Sequence, residues 1–196
     1  MNTILYKIGS KIYINLTNKC SNNCDFCVRN GKTTYYDYPL WLRKEPPAEE
    51  VIAKLPAYFD STEFVFCGFG EPLYALDNVI KIGKYLKDNG KKVRLNTNGQ
   101  ADMIAGEGVA KKLAGSVDTV SISLNASTKE KYQSICHSEF GEEAFDAILK
   151  FASECKAAGL KAVLSIVDCV EKAEIEGAKR IAARLGVELR IREFVK

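Results

Sequence analysis

Six short segments of strand composition alternate with segments of helical periodicity along 196 residues, and this alternation narrows the folds open to the chain. The strands are read at Ile12–Leu16, Glu63–Cys67, Val93–Thr97, Thr119–Leu124, Lys161–Val167 and Glu188–Phe194. Between them, Leu76, Val79, Ile80, Gly83 and Leu86 recur at helical spacing, and so do Phe145, Ile148, Leu149, Ala152 and Cys155. Further helices are read from Pro47 to an interruption at Pro56, from Ile104 to Leu113, and from Glu171 to Leu185, where Gly186 closes the last. A strand that returns through a helix pairs in parallel with its neighbour. An eight-unit barrel takes about 250 residues, so this chain suits about six units. The expected fold is α/β: one domain, residues 1–196, forming a partial (β/α)6 barrel with a parallel sheet. An open doubly wound sheet is the rival, and in both the site lies at the carboxyl ends of the strands.

Polar residues gather at those ends. Cys20, Cys24 and Cys27 follow the first strand, Gly68 to Pro72 the second, Thr97-Asn98-Gly99 the third, and Ser123 and Asn125 the fourth. Three clustered thiolates, rather than four, can hold a metal-sulfur cluster and leave one metal position for a ligand that is not protein. The segment from Lys32 to Pro47, rich in Tyr35, Tyr36, Tyr38 and Trp41, reads as a long irregular connection.

Charge and cysteine usage remove several classes of function. The 28 basic and 25 acidic residues are spread along the chain, which argues against nucleic acid as the main partner. Seven cysteines, an odd number in a chain that is 46% hydrophobic, fit a reducing compartment better than a disulfide framework. Cys67 and Cys155 sit in apolar segments and read as packed. No run is long or apolar enough for a membrane span or secretory signal, so a cytoplasmic protein is expected.

Cys20, Cys24 and Cys27 at this spacing, with Phe26 before the third cysteine, resemble the radical S-adenosylmethionine (SAM) superfamily. The family's Gly-Gly-Glu-Pro loop after strand two has a close variant in Gly68-Phe69-Gly70-Glu71-Pro72, and Thr97-Asn98-Gly99 and Ser123-Leu124-Asn125 match its strand-end patterns. The resemblance implies a 4Fe-4S cluster on the three cysteines and cleavage of SAM to a 5′-deoxyadenosyl radical, which takes hydrogen from a substrate. By position, Gly68, Phe69, Gly70 and Glu71 would meet the methionyl amine. Thr97, Ser123, Asn125 and Asn96 would hold the carboxylate or ribose, and Phe26 would lie near the adenine. An electron donor such as flavodoxin or ferredoxin would supply the electron.

A narrower likeness rests on Asn15-Leu16-Thr17-Asn18-Lys19-Cys20, Leu40-Trp41-Leu42, Glu45-Pro46 and the short chain, which look like the queuine lyases of bacterial queuosine salvage. It implies cleavage of the C–N bond of queuine to release 7-aminomethyl-7-deazaguanine. Asn15, Glu45, Trp41 and Tyr35 are the candidate substrate contacts. The alternatives are a 7-carboxy-7-deazaguanine synthase-like enzyme, a glycyl-radical activating enzyme and, from another class, a zinc-dependent binding module with His137 or another cysteine as the fourth ligand.

Overall fold

The computed structural model describes residues 3–194. Strands β1 (Leu5–Ile8) and β2 (Lys11–Ile14) form an antiparallel hairpin, followed by a two-stranded ribbon of β3 (Thr34–Tyr35) and β4 (Tyr38–Pro39). The chain continues through α1 (Ala48–Lys54), β5 (Glu63–Phe66), α2 (Leu76–Asp88), β6 (Val93–Thr97), α3 (Ala101–Ala105), α4 (Val109–Leu113) and β7 (Thr119–Ser123). It ends with α5 (Lys129–Cys136), α6 (Glu143–Ala157), β8 (Lys161–Val167), α7 (Lys172–Leu185) and β9 (Glu188–Arg192).

Strand order separates the two sequence-based expectations. The order is β1-β2-β5-β6-β7-β8-β9, and every pair from β2 onward is parallel. A doubly wound sheet reverses its order at a switch point, and this sheet does not. Right-handed crossovers that always step the same way leave all the helices on one face. The fold is therefore an open partial barrel of six parallel strands with β1 added at one edge.

Side-chain alternation divides the sheet into two faces. Ile12, Ile14, Phe64, Phe66, Val93, Leu95, Val120, Ile122, Leu164 and Ile166 are buried in the main core with residues of the helices, among them Val79, Ile82 and Leu86 of α2. Gly83 of α2 allows a close approach, because a Cβ there would stand 2.3 Å from the Ser116 carbonyl oxygen. The opposite, concave face is more polar. Register aligns Tyr13, Val65, Arg94 and Thr119 in one row across it, then Asn96 beside Ser121, and Ser123, Ser165 and Arg190 in a higher row.

Two local expectations need correction, and two elements, β1 and α5, are additional. The strand β1 is additional; four residues show too little alternation to be distinguished in the sequence. The expected helix over 104–113 is two helices, α3 and α4, because Gly106 (φ 78°) and Gly108 (φ 77°) turn the chain through the left-handed region. Helix α5 buries only Tyr132 and Cys136 among eight residues, so it shows no apolar stripe; the Thr128 side chain caps it by accepting from Lys131 N–H. The segment 32–47 contains the β3–β4 ribbon, closed by Tyr36 (φ 46°) and Asp37 (φ 64°), a pair of positive φ values suited to a tight hairpin turn.

Candidate functional site

The three-cysteine loop leaves β2 and is fastened from two directions. The N–H groups of Asn23 and Asp25 donate to the carbonyls of Cys136 and Ile135 at the end of α5, each at 3.0 Å. These are among the carbonyls a helix leaves unpaired at its carboxyl end, so the loop completes the helix while the helix shapes the loop. Arg29 Nη2 donates to the Asn22 carbonyl at 2.9 Å, and Asn30 Nδ2 to that of Cys24 at 2.8 Å.

Beneath the loop lies a buried polar network centred on Gln100, which has no solvent exposure. Gln100 Nε2 donates to Asn22 Oδ1 (2.7 Å) and to the Tyr132 hydroxyl (2.9 Å), while its Oε1 accepts from Ser21 Oγ (2.6 Å) and Ser138 Oγ (3.2 Å). Asn22 Nδ2 also donates to Tyr132 (2.9 Å), and Asn98 Nδ2 donates to Ser21 Oγ (2.8 Å). Satisfied in this way, the network fixes the cysteine loop against β6 and α5 without leaving polar groups stranded. Sequence reading missed Ser21, Asn22, Gln100, Tyr132 and Ser138, which no shared periodicity connects.

The loop after β5 is shaped by close approach. A Cβ on Gly68 would fall 2.0 Å from Asn15 Oδ1, and one on Gly70 would fall 2.4 Å from the Thr17 carbonyl oxygen. Glu71 is buried and joins three strand ends: its N–H donates to the Lys19 carbonyl (2.7 Å), and its carboxylate accepts from Leu73 N–H (3.1 Å) and Asn98 N–H (2.6 Å). Burial pushes its carboxyl up to about 7, against the pull of those two donors. Phe69 is buried under the aromatic ribbon, with its ring 5.3 Å from Trp41.

Thr97 is buried and its Oγ1 accepts from Gly99 N–H at 3.0 Å, so the Thr97-Asn98-Gly99 turn is present. Asn96 and Ser123 are half-buried on the concave face, and Asn96 Oδ1 has no protein partner. Asn125 is 4% exposed, holds a left-handed φ of 57°, and its Oδ1 also lacks a protein partner. Asparagine enters the left-handed region more readily than most residues, and the unpaired amide oxygen leaves a buried polar position open to a ligand.

Cys20, Cys24 and Cys27 are free thiols, all partly buried. Burial, followed by the nearby Glu71 charge, pushes Cys20 up to about 12, and burial also raises Cys27. Beside them Phe26, Ile135, Val170 and Phe194 line a pocket of about 310 Å³, flanked by the Lys131–Glu171 ion pair at 3.8 Å. Phe26 thus borders a cavity of the right character for a flat ring. Ile135 belongs to α5, Val170 to the loop after β8 and Phe194 to the segment after β9, and no sequence pattern connects them.

The four candidate substrate contacts do not share one environment. Asn15 is fully buried, and its Nδ2 donates to the carbonyls of Leu40 (2.8 Å) and Thr3 (3.2 Å), which ties the ribbon's exit to β2. Glu45 is exposed and accepts from Thr17 Oγ1 at 2.5 Å. Trp41 is 41% exposed, with Nε1 donating to the Lys32 carbonyl at 3.0 Å. Tyr35 is half-buried near Tyr13, Cys67 and Arg192, and burial pushes its hydroxyl up to about 12. His137 Nε2 pairs with Asp25 Oδ1 at 2.7 Å on the surface.

Four strand-end loops and three thiols at the mouth of a parallel partial barrel define a protein that binds its ligands at the carboxyl face of the sheet. The chain belongs to the radical SAM superfamily, whose family model matches residues 14–181. Two curated relatives come from Methanocaldococcus jannaschii. One, named a probable GTP 3′,8-cyclase, is 33% identical over 131 residues, 66% of this chain and 40% of that protein. The other, provisionally named a glycyl-radical enzyme activating enzyme, is 28% identical over 137 residues, 70% of this chain and 52% of that one. The chain thus spans about half or less of the relatives it matches. Among solved structures, Streptococcus suis SuiB bound to S-adenosylmethionine superposes with a TM-score of 0.70 at 16% identity, over 94% of this chain and 40% of SuiB.

The family's cofactors are a 4Fe-4S cluster and SAM. The residues present fit both. Among the described residues no three His, Cys, Asp or Glu side chains converge on a single ion. The thiolates of a cluster sit on separate irons, so they need not converge on one point. An organic cofactor would find an open polar position at the unpaired Asn125 amide oxygen, while Gly68 and Gly70 let their loop pack directly on Asn15 and Thr17.

Proposed function

We propose that Cys20, Cys24 and Cys27 carry the 4Fe-4S cluster and that SAM is held between the Gly68–Glu71 loop, Asn96, Thr97, Ser123 and Asn125, with Phe26 beside the adenine. When bound, the pair supplies a 5′-deoxyadenosyl radical on receipt of one electron from a flavodoxin- or ferredoxin-type donor. The chain acts as one catalytic domain in the cytoplasm. Among the described residues no helix is long and apolar enough to cross a membrane.

The substrate reading is queuine, cleaved at its C–N bond to release 7-aminomethyl-7-deazaguanine. It is supported by the aromatic ribbon: Tyr38 lies 5.5 Å from Tyr6, which stacks on Tyr13 at 5.2 Å, so the ribbon covers the concave face with flat rings suited to a planar heterocycle. On this reading Tyr35, Trp41, Asn15 and Glu45 contact the substrate, and Glu45 and Asn15 also brace the segment through Thr17 and the carbonyls of Leu40 and Thr3. Anaerobic incubation of the reconstituted protein with SAM and queuine should yield 5′-deoxyadenosine and 7-aminomethyl-7-deazaguanine by mass spectrometry. Formation of 5′-deoxyadenosine that queuine does not accelerate would end the lyase reading.

One observation favours a second reading. Arg192, on the same face of β9 as Arg190, lies near Tyr35 and Cys67, and a cation there suits a carboxylate-bearing heterocycle of the kind a 7-carboxy-7-deazaguanine synthase-like enzyme would take. Loss of queuine turnover in Arg192→Gln would count against it, because queuine carries no carboxylate.

A further inference from the structure

A second cavity, of about 380 Å³, lies between the loop after β7 and helix α7. Ser127 and Thr128 line it from the loop, and Gly177, Arg180, Ile181 and Arg184 line it from the helix. The four helix residues fall at i, i+3, i+4 and i+7, the spacing that puts side chains on one face. None of the six is among the residues assigned above to the cluster, SAM or substrate.

Close packing joins the two walls. A Cβ on Gly177 would stand 2.2 Å from the Ser127 Cβ, so glycine is what lets loop and helix touch. The same point lies 3.7 Å from Arg180 Nη2, which puts that guanidinium back over Gly177, beside the loop. Arg180 and Arg184 are exposed, and among the described residues neither makes a hydrogen bond or an ion pair. The two acids of α7 are engaged elsewhere: Glu174 accepts from Ser127 N–H at 2.6 Å, and Glu176 pairs with Lys179 at 2.7 Å. Like charges four residues apart on a helix repel, and an anion shared between them removes the repulsion.

We propose that this cavity binds the phosphate group of a small molecule. Each guanidinium presents paired N–H donors that match phosphate oxygens, and two of them balance a dianion. The facing wall offers hydroxyl side chains, Ser127 and Thr128, rather than carboxylates. A volume of about 380 Å³ is that of a small-molecule site, with room beyond the phosphate for a body resting on Ile181. Free phosphate and a phosphate monoester share this chemistry. Water alone would also satisfy two exposed arginines, but it would create no saturable site.

The test is equilibrium dialysis of the anaerobically reconstituted protein, at fixed ionic strength, against inorganic phosphate, phenyl phosphate and, as a carboxylate control, benzoate. The variants are Arg180→Gln, Arg184→Gln, the two together, and Lys179→Gln, which removes a charge of α7 outside the cavity; circular dichroism checks that each is folded. At least one of the two phosphates should bind saturably and about tenfold or more tighter than benzoate, and the tighter of the two identifies the source. Each single arginine variant should weaken that binding about tenfold or more and the double variant should abolish it, while Lys179→Gln should change it by about twofold or less. Binding that fails to saturate, that the double variant retains, or that Lys179→Gln weakens as much as either arginine change overturns the proposal. The readout is occupancy rather than turnover, so a failure of the substrate reading leaves it intact.

Discussion

The cysteine loop and the aromatic ribbon both follow β2 in the chain and are held by opposite means. Ser21 and Asn22 of the loop are buried in a network that includes Gln100, Tyr132 and Ser138, and two backbone N–H groups dock on α5. The ribbon keeps Tyr36 58% and Trp41 41% exposed and is fastened mainly by ring contacts and a few bonds to backbone carbonyls. Cofactor chemistry needs fixed geometry, so its loop is over-determined. A surface that selects a substrate can stay half-wet and adaptable, and this difference agrees with the roles proposed for the two sides.

Substitutions can break the contrast in order of expected effect. Cys24→Ala should abolish the cluster and 5′-deoxyadenosine formation together, read by iron and sulfide content and by mass spectrometry. Gln100→Ala leaves several buried partners unpaired and should cost about 3 kcal/mol or more in urea unfolding. Its cluster yield should also fall, since the loop loses its floor.

Glu71 tests the same side through pH. Its carboxyl is raised to about 7 by burial, so the folded state binds more protons than the unfolded state above the ordinary carboxylate range. The resulting stability is fully present below about pH 4.5 and is lost as pH rises through 7, a decline of order 3 kcal/mol from this group. Chemical denaturation of the wild type and Glu71→Gln at several pH values should show the slope in the former and a flatter profile in the latter. The smallest effect on folding belongs to the ribbon. Trp41→Ala should change unfolding free energy by about 1 kcal/mol or less, given its exposure, while raising KM for the substrate more than it lowers kcat.

Much of this contrast was legible in the sequence on one side only. The barrel followed from alternation, and the strand-end residues followed from knowing where such sheets place their sites. Asn15 shows what a single sequence hides: that its Nδ2 donates to the carbonyls of Thr3 and Leu40 while its Oδ1 has no protein partner depends on how distant segments return over β2. Gln100 and Tyr132 were invisible because their partnership spans 32 residues and depends on tertiary packing. The inward row of polar residues in Val-Arg-Leu-Asn-Thr and Thr-Val-Ser-Ile-Ser, by contrast, was present as a two-residue period in β6 and β7 and could have been read.

The claim on which the rest depends is that the mouth holds a three-thiolate cluster with an open position. It is tested most directly by reconstituting the protein anaerobically, measuring iron and sulfide, and recording the electron paramagnetic resonance spectrum of the reduced state before and after adding SAM. The account predicts about four irons and four sulfides per chain and a spectrum that SAM alters. One zinc per chain with no sulfide, or a reduced cluster whose spectrum SAM leaves untouched, would contradict it.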